Sequence, residues 1–152
     1  MALSVSATTT VAASPKELLE FVLDLDRYRE ADHKILRVSK VEGPDENGLG
    51  SAKVWGRLRW GPPAPDRQDF KLERWRRLTF TGAPRQPARL VFSFVGTFEC
   101  EATSAGTVLT HAYEFTFTPP FRAVERFLAR WLQGEIEAEV ARIAEIFARQ
   151  GR

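Results

Sequence analysis

Leu109-Thr110-His111-Ala112-Tyr113-Glu114-Phe115-Thr116-Phe117-Thr118-Pro119-Pro120 is the stretch that decides the fold. It places Leu109, His111, Tyr113, Phe115 and Phe117 on one side, the period of two of a half-buried strand. The two prolines end that strand, and a helical pattern then runs to Phe147. A helix of about 28 residues is about 40 Å long, well beyond the globular average. Its stripe of Val124, Leu128, Trp131, Leu132, Ile136, Val140, Ile143, Ile146 and Phe147 needs a broad apolar partner. The rest of the chain is rich in strands, so that partner is a sheet.

Upstream, Ser4 to Val11 alternates Val5, Ala7, Thr9 and Val11 with hydroxyl residues and reads as a strand. Ser14-Pro15-Lys16-Glu17 supplies an N-cap serine, a proline at the first helical position and a glutamate three after the cap. A short helix follows, buried through Leu18, Leu19, Val22 and Leu23. Asp24 to Asp32 predicts a second short turn of helix anchored by Tyr28. Strands are expected at Ile35 to Val41, Ser51 to Trp60, Gln68 to Trp75, Arg77 to Gly82, Leu90 to Thr103 and Thr107 to Thr118. Glycine- and proline-rich stretches separate them, and Ser104-Ala105-Gly106 makes a tight hairpin. The order predicts an α+β fold over residues 1–152 as one domain, with helices on one face of an antiparallel sheet. Parity turns Ala52, Val54, Gly56, Leu58, Trp60, Phe70, Leu72, Leu78, Phe80, Leu90, Phe92, Phe94, Gly96, Phe98, Cys100 and Ala102 inward. Lys53, Arg57, Arg59, Lys71, Glu73 and Arg77 face solvent.

Composition narrows the function. In 152 residues, 22 basic and 20 acidic side chains leave a net charge of +2, which argues against binding a polyanion by field alone. No apolar run approaches the ~20 residues of a membrane span, and residues 1–12 carry no secretory leader. A single cysteine, Cys100, forms no internal disulfide and fits a reducing compartment. The expectation is a cytoplasmic protein, monomeric or homodimeric. With only His33 and His111, no zinc-like spacing exists, and no phosphate loop, nucleophile elbow or dinucleotide fingerprint appears. Neither metal nor cofactor is expected.

Ser14-Pro15-x-Glu17-Leu18, Asp24-x-x-x-Tyr28 and Gly106-Thr107-Val108-Leu109-Thr110-His111-x-Tyr113-Glu114-Phe115 ahead of a proline and a long helix resemble the START-like, or SRPBCC, superfamily. The polyketide cyclase/dehydrase-like group is the most similar. That resemblance implies a helix-grip fold: a curved antiparallel sheet wrapped around the long C-terminal helix, with a deep pocket for an apolar or aromatic ligand. Functions in the superfamily range from carriers to polyketide aromatases. Where members of this group often have an aromatic residue followed by proline, this chain has Tyr28-Arg29-Glu30.

Two carboxylates break the apolar stripe of the long helix. Glu135 lies four after Trp131 and three after Leu132, and Glu139 lies four before Ile143. A carboxylate among apolar side chains is expensive unless paired or facing a wet cavity. They either pair with an arginine such as Arg37 or Arg74 or sit at an open pocket mouth, or at least one lines a cavity as polar anchor or general acid/base. His111 and Tyr113 share the inward parity of the last strand. Tyr113 is read either as ligand contact or as core, and His111 either as a residue near a strand end or as a proton-moving group. The catalytic candidates are therefore Tyr113, His111 and Glu135, with Glu139 beside them. The expected ligand-binding set is Leu58, Phe70, Phe80, Phe92, Phe94, Phe98, His111, Tyr113, Phe115, Trp131, Glu135 and Glu139. Gly56 and Gly96 on packing faces and Gly134 within the helix remove side-chain volume, as a cavity requires; Gly134 is either tolerated, needed for a close approach, or the site of a bend over a pocket.

The reading that follows is binding of a small hydrophobic ligand between sheet and helix, with a polyketide aromatase/cyclase or dehydratase as the enzymatic alternative. A further alternative is a protein-interaction module on the outer sheet face, where Trp55 and Trp75 stand among Lys53, Arg57, Lys71 and Arg77. Acidic neighbours dilute that patch for nucleic acid. Arg122, Arg126 and Arg130 form a basic ridge on the outer side of the terminal helix.

Overall fold

The computed structural model describes residues 3–57, 62–83 and 86–151. Among them, strand β1 (Leu3–Val11) leads into helices α1 (Pro15–Leu23) and α2 (Leu25–Tyr28). Strands β2 (Ile35–Glu42), β3 (Leu49–Gly56), β4 (Ala64–Glu73), β5 (Arg77–Gly82), β6 (Phe92–Thr103) and β7 (Gly106–Phe117) follow, then helix α3 (Glu125–Gln150). Two 3-10 turns, Pro87–Leu90 and Phe121–Val124, precede β6 and α3. The strands form one antiparallel sheet in the order β1-β7-β6-β5-β4-β3-β2, with the helices packed on one face. This is the helix-grip arrangement.

Local chemistry sets several of these boundaries. Ser14 caps α1 reciprocally with Glu17, its side chain accepting from the Glu17 amide at 3.2 Å. Gly106 closes the β6–β7 hairpin with φ +127, and an added Cβ would lie 2.3 Å from the Val11 carbonyl oxygen. β4 starts at Ala64, four residues before the expected Gln68. It tolerates Pro65 because only β3 lies beside that position; pairing with β5 begins at Gln68. Leu90, read as the inward start of a strand, belongs instead to the 3-10 turn and is 77% exposed. Ala102, also read inward, is exposed near the hairpin end. Leu58, Arg59 and Trp60 lie outside the described residues.

α3 packs chiefly against β1 at one edge of the sheet. Its stripe divides between two apolar clusters. Leu128, Leu132 and Ile136 join Val5, Phe115 and Phe117, with Trp131 against them. Val140, Ile143, Ile146 and Phe147 join α1, α2 and the inner faces of β3 to β6. Glu139 sits where the clusters meet.

Candidate functional site

With α3 seated toward the β1 edge, the sheet's concave face from β2 to β6 is left partly unfilled. A cavity of about 370 Å³ lies there, within the size range of small-molecule sites. Val54, Phe80, Phe92, Phe94, Phe98 and Phe115 supply much of its apolar wall, and Leu25 comes from α2. Arg57, Pro62 and Pro87 are exposed and form its rim. Arg57 therefore stands at the mouth rather than on the outer face, because β3 ends one residue before it. Gly96 lines the wall where a Cβ would meet Tyr113 Cε1 at 3.1 Å, so its missing side chain gives the phenol ring room.

The inner end of the cavity is polar. Asp32, Lys34 and Tyr113 reach its wall, and Tyr28 is beside them. Glu139 lies one layer behind, 1% exposed. Lys34 Nζ donates to Asp32 Oδ1 at 2.8 Å and to Glu139 Oε1 at 3.0 Å. Tyr28 donates its hydroxyl to Glu139 Oε2 at 2.5 Å. The single Tyr113 hydroxyl proton is shared among Glu139 Oε1 at 3.2 Å, Glu139 Oε2 at 3.3 Å and Asp32 Oδ2 at 3.3 Å. His111 Nδ1 is 2.8 Å from the Thr97 carbonyl oxygen, which only accepts, so Nδ1 carries the proton. His111 Nε2 faces Glu139 Oε2 but makes no aligned hydrogen bond.

Burial acts on Glu139, Asp32, Lys34 and both tyrosines, and only for Glu139 and Lys34 do the neighbours reverse it. Burial alone raises the Glu139 carboxyl, but Lys34, His111 and the Tyr28 hydroxyl overcome it and hold it well below the ordinary carboxylate range. Asp32 goes the other way: burial, then the Glu139 charge, raises it against the pull of Lys34. Burial lowers Lys34, but the two carboxylates reverse this and the ammonium is held above its ordinary value. Both tyrosines are raised by burial and the adjacent anions, so their hydroxyls stay donors. The result is a buried ammonium fixed between two carboxylates, with two phenols aimed at the same anions.

The expected residues divide into wall, backing and elsewhere. Phe80, Phe92, Phe94, Phe98, Tyr113 and Phe115 line the cavity. Phe70 stands behind Phe80, its ring centroid 5.5 Å away. His111 is not near a strand end. It pairs with Ala7 and Phe98 in mid-sheet, fully buried, and stacks on Phe98 at 3.9 Å rather than facing the cavity. Trp131 packs on the other cluster. Glu135 is half-buried and makes no hydrogen bond or ion pair among the described residues, away from the cavity wall. No residue of α3 lines the cavity, because α3 is drawn to β1; the cavity lies between the sheet, α2 and the α2–β2 connection.

The arginines expected to pair with the helix carboxylates are engaged elsewhere. Arg37 lies over Trp55 at 5.4 Å, and Arg74 donates to the carbonyls of Asp45 and Glu46. Asp32 and Lys34 were missed, since Ala31-Asp32-His33-Lys34 carries no periodicity and reads as an ordinary polar loop. Asp66 was also missed. It lines the cavity and accepts from Arg89 Nη2 at 2.7 Å, while the Arg89 guanidinium lies over Phe92 and Phe94. Gly82 leaves space for that guanidinium. Trp75 is half-buried against the core under Lys16, not free on the outer face.

Sequence comparison agrees with this arrangement. The sequence profile of the family described as polyketide cyclase / dehydrase and lipid transport matches residues 2–148. The chain belongs to this family. Among solved structures, the Zhui aromatase/cyclase from Streptomyces sp. R1128 is similar with a TM-score of 0.76 at 16% identity, covering 100% of this chain and 97% of that one. The di-domain aromatase/cyclase StfQ of the steffimycin biosynthetic pathway matches with a TM-score of 0.74 at 15% identity over 99% of this chain. The present chain spans 51% of StfQ. A norcoclaurine synthase point mutant from Thalictrum flavum matches at 0.65 and 14% identity, covering 100% of this chain and 98% of that one. At these identities the likeness is one of fold. A search of curated proteins matched none of them. Among the described residues, no helix is long and apolar enough to cross a membrane.

Proposed function

We propose that this chain binds a small hydrophobic molecule, aromatic or polyketide-like, in the cavity between the sheet and α2. Its oxygen-bearing end meets Lys34, Tyr113 and Asp32. The observation that carries the reading is the cavity's polarity: phenylalanine-rich walls closed at the inner end by a fixed ammonium and a phenol. Such walls favour flat rings through area burial and edge or face contacts, and a few placed polar groups fix orientation. The test is a thermal-shift and fluorescence screen against hydroxylated fused-ring aromatics, with Phe94→Ala as the wall variant. Loss of one aromatic contact is expected to weaken binding about tenfold. A screen in which no apolar ring compound binds sinks the proposal.

One observation favours the enzymatic alternative, a cyclase or dehydratase acting in the same cavity. The Tyr113 hydroxyl and the Lys34 ammonium both stand at the wall, where they would stabilise an oxyanion developing on a bound ketone. Asp32, raised by its burial, supplies a group to accept or return the proton. Tyr113→Phe and Asp32→Asn separate the two readings. If both keep ligand affinity and both abolish turnover of a polyketone, the protein is an enzyme and the carrier reading is wrong.

A further inference from the structure

We propose that the end of the molecule carrying Leu90, Phe121 and Phe127 docks on an anionic lipid surface through the ridge Arg122, Arg126 and Arg130. Leu90 is 77%, Phe127 63% and Phe121 38% exposed. Scattered exposed apolar residues are ordinary, but these belong to one end. The Thr118 hydroxyl donates to the Leu90 carbonyl at 2.6 Å, and the Phe121 amide donates to the Thr118 carbonyl at 2.7 Å. Leu90 and Phe121 therefore flank Thr118, and the turn Phe121–Val124 runs directly into the first turn of α3, where Phe127 stands.

Arg126 and Arg130 lie one turn apart on α3, Arg122 stands in the turn that leads into it, and all three are exposed. The Arg126 guanidinium lies 5.7 Å over the Phe127 ring, so charge and apolar surface are interleaved. Glu125, the acid within this segment, is half-buried and accepts from the Phe117 amide at 3.4 Å. With 22 basic against 20 acidic side chains in the chain, three neighbouring arginines are a local excess, complementary to an anionic surface.

The shape of the patch selects the occupant. A stable protein partner needs a fitted surface of roughly 800 Å² on each side. Here a few side chains protrude singly, which suits insertion among lipid headgroups with arginines at the phosphates. The patch also adjoins the cavity rim, since Val91 and Pro87 beside Leu90 line the cavity. A docked molecule would hold its cavity mouth close to the bilayer.

The experiment is co-sedimentation of the full chain with phosphatidylcholine vesicles, with and without phosphatidylglycerol. Binding is expected only with phosphatidylglycerol, and is expected to fall as salt rises. Arg122→Gln with Arg126→Gln should weaken it about 25-fold, about fivefold for each arginine. Phe127→Ser should weaken it at least about tenfold through lost apolar insertion. All three positions are exposed, and unchanged thermal melts will confirm that the variants fold. Absence of binding to phosphatidylglycerol vesicles overturns the proposal, as does binding indifferent to Phe127→Ser. Retention on polyglutamate without vesicle binding also overturns it, and assigns the face to an acidic protein. No cavity ligand is used, so this test and that of the cavity fail independently.

Discussion

At the scale of single residues, Glu139 connects the fold to the site. It meets Tyr28 of α2, Lys34 of the α2–β2 connection, and His111 and Tyr113 of β7, three separate parts of the chain. Glu139→Gln removes the charge that Lys34 and His111 face. It should cost about 3 kcal/mol in urea unfolding, the low end for a broken buried pair, because Asp32 still faces Lys34. The sign of the pH dependence follows. Glu139 is held below its ordinary 4.5, so on acidification the unfolded chain takes the proton first. The stability it contributes is whole above 4.5 and is lost as pH falls toward the folded value. Asp32, raised above its ordinary 3.8, works in the opposite sense, and its protonation relieves an unfavourable burial. Lys34 contributes fully below its ordinary 10.5 and loses that contribution only as pH rises through its higher folded value. The wild-type chain should therefore lose stability below about pH 4.5, and Glu139→Gln should flatten that slope. A slope unchanged in the variant assigns acid sensitivity to other groups.

The same residue marks what the sequence disclosed. A carboxylate inside an apolar stripe was visible as an anomaly, but Glu135 and Glu139 looked alike because both lie on a stripe that drifts around the helix. Only the seating of α3 against β1 separates them, and that depends on the whole sheet. Tyr113 was legible by strand parity. Asp32 and Lys34 were not, since a buried ion pair in a short irregular connection leaves no period to read; its distant partners, Tyr113 and Glu139, lie 81 and 105 residues away in sequence.

At the scale of elements, the glycines separate packing from propensity. Gly134 lies on the exposed side of α3, and a Cβ there would meet no atom within 4 Å. It is needed for no close approach, so Gly134→Ala should stabilise the helix by about 1 kcal/mol, a rise read in a thermal melt. Gly96 is the contrary case. An added Cβ would lie 3.1 and 3.2 Å from the Tyr113 ring, and Gly96→Val should cost about 1–3 kcal/mol by overpacking. The same substitution displaces the phenol at the polar end of the cavity, so ligand affinity should fall with stability. Strand and helix order followed from period and turn chemistry. Boundaries such as the β4 start depended on which neighbour strand reached each position.

At the scale of the molecule, the cavity is a consequence of how one helix is shared between two cores. The N-terminal half of α3 completes a cluster with β1 and β7, its C-terminal half completes another with α1, α2 and part of the inner face of β3 to β6, and neither half reaches the stretch of that face that lines the cavity. The sheet is too wide for its helix. A ligand that fills this space binds the folded chain and not the unfolded one, so it must raise the melting temperature by mass action. At about 100 times its Kd the gain is about 2.7 kcal/mol, which for a chain of this length shifts the melt by roughly 5–10 °C. Val54, 2% exposed and on the cavity wall, gives the control. Val54→Phe occupies part of the same volume from the protein's side, and the ligand-induced shift should shrink to about half or less. A full shift in Val54→Phe means that the ligand binds elsewhere, and the space between sheet and α2 is then packing left over from the fold rather than a site.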